Sequence, residues 1–294
     1  MCVSYPLAMK ILVIVVTYNG LPWVDRCLGS VRESTLPADI FVVDNDSSDR
    51  TADYIQGAFP GVRLVRSAEN LGFSRANDIG LRYALEKGYD YAYLLNQDAY
   101  LEADTLEKLI AVSLQSPEFA ILSPMQMNSD GSGYDMAFER DVVRRAGSLD
   151  RPVAPVPRVM AAHWLLPLGT LRTIGLFAPV FPLYGEDDNL CDRARFHGFR
   201  VGIVPSASAV HDRTYRTEPL EKTVHRNYFM GSLRRLCDIG RPLWERWLWV
   251  SIFTLVKAVK YRSRLPFKHF RTLVGLRRDI LSTRTVTRAP GAFI

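Results

Sequence analysis

Several patterns that would assign this chain quickly are missing. No glycine-rich dinucleotide fingerprint follows the first hydrophobic run, where the chain reads Thr17-Tyr18-Asn19-Gly20-Leu21-Pro22. The phosphate-cradling Gly-x4-Gly-Lys-Ser/Thr loop is missing too, so a Rossmann dehydrogenase and a P-loop kinase are disfavoured. Cysteine is scarce: Cys2, Cys27, Cys191 and Cys237 lie far apart. That spacing argues against a thiolate metal site or a redox pair and leads us to expect buried free thiols in a reducing compartment. No apolar run reaches the roughly 18–20 residues that a spanning helix needs. Met1 to Pro6 lacks the basic region of a secretory leader. Residues 1–9 therefore read as an N-terminal extension, with Met9-Lys10 an equally good start, and the expected location is cytoplasmic.

What is present is the composition of a folded protein, 48% hydrophobic and 23% charged over 294 residues, enough for one large core or two modest ones. Charge is unevenly placed. From Arg213 onward 18 Lys and Arg accompany 5 Asp and Glu, whereas residues 1–212 carry 19 and 26. A basic tail on a mildly acidic body points to an anionic surface, lipid or nucleic acid.

Lys10 to Thr17 is a β-branched run that reads as a central parallel strand, and Leu21 to Ser34 follows at helical spacing. Ile40 to Val43 and Val62 to Val65 are further strands, each followed by a helical segment, Thr51–Ala58 and the stretch running to about Lys87. Tyr91 to Leu95 is a fourth strand, ending at Asn96-Gln97-Asp98 before a helix from Asp104. Alternating units of this length predict a doubly wound α/β sheet. The first strands end in small polar or acidic residues on one edge, where such sheets bind ligands. Asp98 can hold a hard cation there, or simply cap a helix.

Beyond Ala120 the periodicity loosens, and residues 128–157, rich in Gly, Ser, Pro and charge, read as a functional flap. Tyr184-Gly185 leads into Glu186-Asp187-Asp188 at the head of a helix running to His197. Three successive acids exceed what dipole capping requires. Short strands at Val201–Val204 and Ala207–Val210 deliver His211. In the tail, Leu220–Asp238 and Leu243–Tyr261 read as helices, the second carrying Trp244, Trp247 and Trp249 ahead of a basic cluster. Such a helix suits an anionic lipid surface, or packing on the body with a solvated basic face.

The ordered set Val15-Val16-Thr17-Tyr18-Asn19-Gly20, Val42-Val43-Asp44-Asn45-Asp46-Ser47-Ser48-Asp49, Asn70-Leu71-Gly72 with Ala76-Asn77 and Gly80, Leu95-Asn96-Gln97-Asp98, Gly185-Glu186-Asp187-Asp188 with Arg193, and Val210-His211 resembles family 2 glycosyltransferases of the GT-A fold. It is similar to their bacterial rhamnosyltransferase-like branch. The resemblance spans roughly 70% of the chain, about residues 10–212. It implies a doubly wound mixed sheet over 10–215, with 216–294 as a basic, aromatic helical tail.

The resemblance also implies roles. Thr17, Asn19, Asp44, Asn45, Asn70, Arg75 and Asn77 would surround the base, ribose or diphosphate of a nucleoside-diphosphate sugar, together with Asn96, Gln97, Asp98 and Arg193. Asp98 and His211 would bind a divalent cation, Mn2+ or Mg2+. Asp187 would be the catalytic base of an inverting transfer, with Glu186 the second choice. His163-Trp164 falls near the family's sugar pocket, although core packing suits Trp164 better. The implied enzyme is of hexosyltransferase type, moving a sugar such as rhamnose onto a glycan or lipid-linked acceptor in cell-surface polysaccharide synthesis. Its tail would lie on the membrane's inner face, with no nucleic acid expected.

Asn96 departs from the family's acid–x–acid pattern, because an amide brings no negative charge. A site short of one carboxylate would acquire its cation together with the donor. Two other readings remain at this level: a catalytically impaired homologue acting as a subunit, and a nucleic-acid-binding protein using the basic tail.

Overall fold

In the computed structural model the chain is described over residues 9–181, 183–214 and 220–294, with side chains from residue 228 onward in the last segment. Residues 1–8 of the expected extension 1–9, with Cys2, and the boundary at 215/216 lie outside the described residues.

Strand β1 (Ile11–Thr17) is the hub, with α1 (Leu21–Arg32) after it. It pairs in parallel with β2 (Asp39–Asp44) on one side and β4 (Tyr91–Asn96) on the other. Between β2 and β4 come α2 (Thr51–Ala58), β3 (Arg63–Arg66) and α3 (Gly72–Lys87). Then follow β5 (Ala99–Leu101), α4 (Thr105–Gln115), β6 (Phe119–Met127), α5 (Met136–Asp141), β7 (Ala154–Val156) and β8 (His163–Pro167). Next are α6 (Leu168–Ile174), α7 (Glu186–Phe196) and β9 (Arg200–His211). The strand order is β3-β2-β1-β4-β8-β6-β9-β5, with β7 also on β9.

The sheet is mixed because β8 runs antiparallel between β4 and β6. Its central strands are buried on both faces, which explains their unbroken apolar composition. One core lies beneath α3, α6 and α7, the other beneath α1, α2 and α4. Helix and sheet touch at Gly80, where a Cβ would lie 2.6 Å from Ile14 Cγ2. The expected pair of short strands before His211 is one strand: β9 keeps pairing with β6 across a register shift between Pro124 and Met125. The expected flap is partly ordered, since Asp135 caps α5 by accepting from Phe138 N–H at 2.8 Å and also meets Arg213 Nε at 2.6 Å.

The tail comprises α8 (Leu220–Cys237), α9 (Leu243–Lys260), α10 (Leu265–Gly275) and α11 (Arg277–Val286), the last two unforeseen in the sequence. Leu233, Leu236, Val250, Leu273 and Ile280 form a third core that takes in Ala178 and Phe181 from the body. Burying Phe181 alone stabilises that docking by about 1.5–3 kcal/mol. The chain end is fastened as well: Leu176 N–H donates to Ala292 O at 2.8 Å and Gly291 N–H to Thr173 O at 3.0 Å. Gly175, at φ 77°, leaves room for that approach, because a Cβ there would strike the Ala292 backbone. Cys27, Cys191 and Cys237 are buried free thiols. Among the described residues no helix is long and apolar enough to cross a membrane.

Candidate active site

The loops after β1, β2 and β4 meet the start of α3 on one sheet edge. Short polar side chains fix them, because these turns leave backbone N–H groups without strand partners. Asn19, at φ 49°, accepts from Ser48 N–H at 2.8 Å, while its own N–H donates to Ser47 Oγ at 2.9 Å. Asp44 accepts from Thr17 Oγ1 at 2.9 Å and from Ser47 Oγ at 2.6 Å. Gln97 grips Tyr18 twice, accepting from its N–H at 2.8 Å and donating to its carbonyl at 3.2 Å. Gly20 permits this grip, since a Cβ there would collide with Gln97 Oε1.

Asn45 ties β2 to α3: its Nδ2 donates to Asn70 Oδ1 at 3.1 Å and its Oδ1 accepts from Leu71 N–H at 2.7 Å. Over this platform lies a cavity of about 1030 Å³ lined by Asn45, Asn70, Arg75, Asn96, Gln97 and Asp98, with Tyr18, Trp23, Phe181 and Tyr184 as its aromatic wall. Six of the residues singled out in the sequence thus share one cavity. Thr17, Asn19 and Asp44 brace it from below.

Two expected members lie elsewhere. Asn77 is buried and donates to Phe73 O at 2.9 Å, one turn back in its own helix. Arg193 is buried in the body, donating from Nη1 to Ile174 O at 3.1 Å and from Nη2 to Leu176 O, and its guanidinium sits 5.6 Å from the Phe293 ring centroid. Burial pushes its pKa down to about 9, against the opposing pull of Asp78. Arg193 therefore fastens α7 to the chain end and does not face the cavity. His163 and Trp164 are likewise fully buried, with Trp164 stacked on Phe177 at 6.3 Å.

Asp98 and His211 are brought together, with Oδ1 and Nε2 3.6 Å apart and both side chains buried. The backbone joins them too, since Ala99 pairs with His211 and Asp212 N–H donates to Asp98 O at 2.7 Å. His163 steadies the end of β9, its Nε2 3.0 Å from Val210 O and its Nδ1 2.9 Å from Tyr93 Oη. Burial holds that imidazole neutral, with its pKa near 3. Among the described residues no group of three or more His, Cys, Asp and Glu could hold a metal. The fit to a cation is therefore that of a two-ligand site, one carboxylate and one imidazole, with other positions left to donor oxygens and water.

At the head of α7 the three acids diverge. Asp188 lies 3.5 Å from Arg158 and 3.4 Å from Arg234, while Asp192 lies 2.8 Å from Arg234. Glu186 turns inward, 5% exposed, with Oε2 buried and lacking a hydrogen-bond partner. Asp187 accepts from Asp188 N–H at 2.7 Å and lines a second cavity of about 360 Å³ with Arg145, Arg158, Met230 and Arg234. Burial first, and the neighbouring carboxylates second, push Asp187 and Glu186 well above the ordinary carboxylate range. An acid so raised, facing a cavity, can accept a proton near neutral pH. Tyr184 lines both cavities and sits at φ 68°, an uncommon conformation for a non-glycine residue. Tyr184, Arg158 and Arg234 were missed in the sequence; a tyrosine directly before Gly185 was the one available signal.

A model described as glycosyl transferase family 2 matches residues 12–154. The chain is 24% identical over 235 residues to the N-acetylglucosaminyl-diphospho-decaprenol L-rhamnosyltransferase of Mycobacterium tuberculosis, covering 70% of this chain and 76% of that protein. It is 27% identical over 209 residues to the undecaprenyl-phosphate mannosyltransferase of Micrococcus luteus, covering 67% and 82%. In fold it is similar to the mannosyltransferase PcManGT from Pyrobaculum calidifontis, solved with GDP-Man and Mn2+: TM-score 0.59, 17% identity, 95% of this chain and 86% of that one. The architecture is GT-A.

Proposed function

We propose that the chain, a glycosyl transferase of family 2, moves a sugar, rhamnose among the candidates, from a nucleoside-diphosphate donor to a hydroxyl of a glycan or lipid-linked acceptor, with inversion. The observation that carries this is the pairing of two cavities through Tyr184, one lined by amides, Arg75 and Asp98, the other by Asp187.

The donor would lie in the larger cavity. Asn45 and Asn70 offer amides to the nucleoside, and Arg75, more than half exposed, can exchange its long 3.4 Å contact with Glu69 for a phosphate. Asp98 and His211 would hold a divalent cation, and a carboxylate with a neutral imidazole favours Mn2+ over Mg2+. Such a cation, when bound, supplies counter-charge for the departing diphosphate. Asp187 takes the proton of the acceptor hydroxyl as its oxygen attacks the anomeric carbon. Its raised pKa matches that task. Arg158 and Arg234 pair with Asp188, whose remaining charge helps burial to hold the proton on Asp187.

The acceptor reading draws support from the lipid phosphates named in the two relatives and from the basic tail. A peripheral position on the membrane's inner face goes with it. The test is a transfer assay with a panel of nucleoside-diphosphate sugars and a polyprenyl-phosphate-linked acceptor, read as glycosylated product by mass. Neither product nor donor hydrolysis from any pair would favour the impaired homologue, to which Asn96 already points.

A further inference from the structure

We propose that the pocket enclosed by α8, α9 and α10 seats the phosphate end of a membrane amphiphile, whose apolar chain leaves along the exposed stripe of α9. This deepens the acceptor reading above and rests on it.

The pocket, about 370 Å³, is walled by Trp249, Phe253 and Tyr228 and by the cations Arg235 and Lys257; among the described residues its lining includes no carboxylate. Two cations near it are paired: Arg234 Nη1 lies 2.8 Å from Asp192, and Arg246 meets Asp238. Arg235 and Lys257 have no such partner among the described residues. Arg235 lies flat on Trp249, its Cζ 3.5 Å from the ring centroid, and its Nε is buried without a hydrogen-bond acceptor. The Lys257 ammonium rests 4.9 Å from the Phe253 centroid and 5.3 Å from that of Tyr261. A guanidinium laid on an indole, with no carboxylate bonded to it among the described residues, suits an anion from outside.

The second observation is on α9 itself. Trp244, Leu248, Ile252, Leu255 and Val259 are 70%, 53%, 53%, 55% and 78% exposed. At about 100° per residue they form one stripe. Trp249, Phe253 and Lys257 form the adjoining face, and Val250, Thr254 and Ala258 face the core. Apolar stripe and cationic pocket therefore stand side by side on one helix, as the chain and head of an amphiphile do. A nucleic acid would match the charge but leave the stripe in water. The pocket shares Gly231 and Arg234 with the cavity of Asp187, so a phosphate held there lies next to the acid that accepts the proton.

The experiment is vesicle flotation of the full chain, using phosphatidylcholine with or without phosphatidic acid. Wild type should bind the acidic vesicles, and Arg235→Gln/Lys257→Gln should bind about tenfold less. Arg277→Gln/Arg278→Gln removes the same charge from exposed positions on α11 and should stay within about threefold of wild type. Equal loss in both double variants means diffuse attraction and overturns the pocket. Should Arg235→Gln impair folding, as circular dichroism would reveal, Lys257→Gln alone carries the comparison, because among the described residues that side chain makes no ion pair. Leu248→Ser/Val259→Ser should also weaken flotation; if it does not, and inorganic phosphate competes fully, the ligand is a soluble phosphate and the membrane assignment fails. RNA binding lost in the pocket variant would overturn it in favour of nucleic acid. Donor-induced thermal stabilisation is read separately: if it persists without flotation, this inference falls while the transferase reading stands.

Discussion

Replacing Asp187 by Asn keeps the shape of the side chain and an oxygen to accept from Asp188 N–H, and removes only the carboxylate. General-base catalysis contributes about 10²–10⁴ in rate, equivalent to about 3–5 kcal/mol of barrier, so turnover should fall by that factor. Donor affinity should stay within about threefold, because Asp187 lines the second cavity and not the donor's. Glu186 cannot take over, being buried and absent from both cavity walls. Stability should move the other way. In the fold Asp187 holds its proton to a pH well above the ordinary carboxylate range, whereas the unfolded chain releases it near about pH 4. Below that pH both states are protonated and nothing is lost. As pH rises from there towards the raised folded value, wild type loses stability that the Asn variant keeps. The melting advantage of the variant should thus be absent at pH 4 and present at pH 8. Single-turnover kinetics, donor calorimetry and melting at the two pH values check this. A variant retaining a tenth of wild-type turnover, or one that loses donor binding, refutes the assignment.

Other outcomes follow from the same geometry. Arg193→Met should destabilise the fold by about 2–4 kcal/mol in urea, since it leaves two buried carbonyls without their donor at about 1–3 kcal/mol each, and leave donor affinity unchanged; a donor defect without a stability loss would restore it to the cavity. Gly20→Ala should push Gln97 off Tyr18 and cost about 1–2 kcal/mol for the two lost hydrogen bonds, measured by denaturant titration. Asp98→Ala should abolish the Mn2+-dependent part of donor binding by calorimetry. Asn96→Asp should allow Mn2+ to bind before the donor does, which wild type should not show.

The parallel half of the sheet was legible because β1, β2 and β4 are buried on both faces and therefore written as continuous apolar runs. The antiparallel β8 was not, since pairing of Leu94 with Trp164 is non-local and Val159–Leu166 carries no alternation to show it. The bulge that merges two short segments into β9 depends on Pro124 and Met125 in another strand. The strand-end residues that share the larger cavity were legible because polar residues there interrupt apolar runs. Asn77 and Arg193 were misplaced because helical position alone does not say which face meets the ligand. Only the contact of Arg193 with Ile174, Leu176 and Phe293 turns it inward. In the tail, α11 carries few apolar residues, and the inward face of α10, which opens on Leu265-Pro266, shows only once Leu273 and Ile280 are seen in the third core.

The most direct measurement of the central claim is the melting temperature of the full chain with a panel of nucleoside-diphosphate sugars, each with and without Mn2+. A ligand at about 100 times its dissociation constant stabilises by about 2.7 kcal/mol, which for a chain of this size raises melting by several degrees. At least one nucleoside-diphosphate sugar should do so in the presence of Mn2+, and Asp98→Ala should cancel the metal-dependent part. No shift from any of them at millimolar concentration with Mn2+ would contradict a donor site in the cavity of Asn45, Arg75 and Asp98.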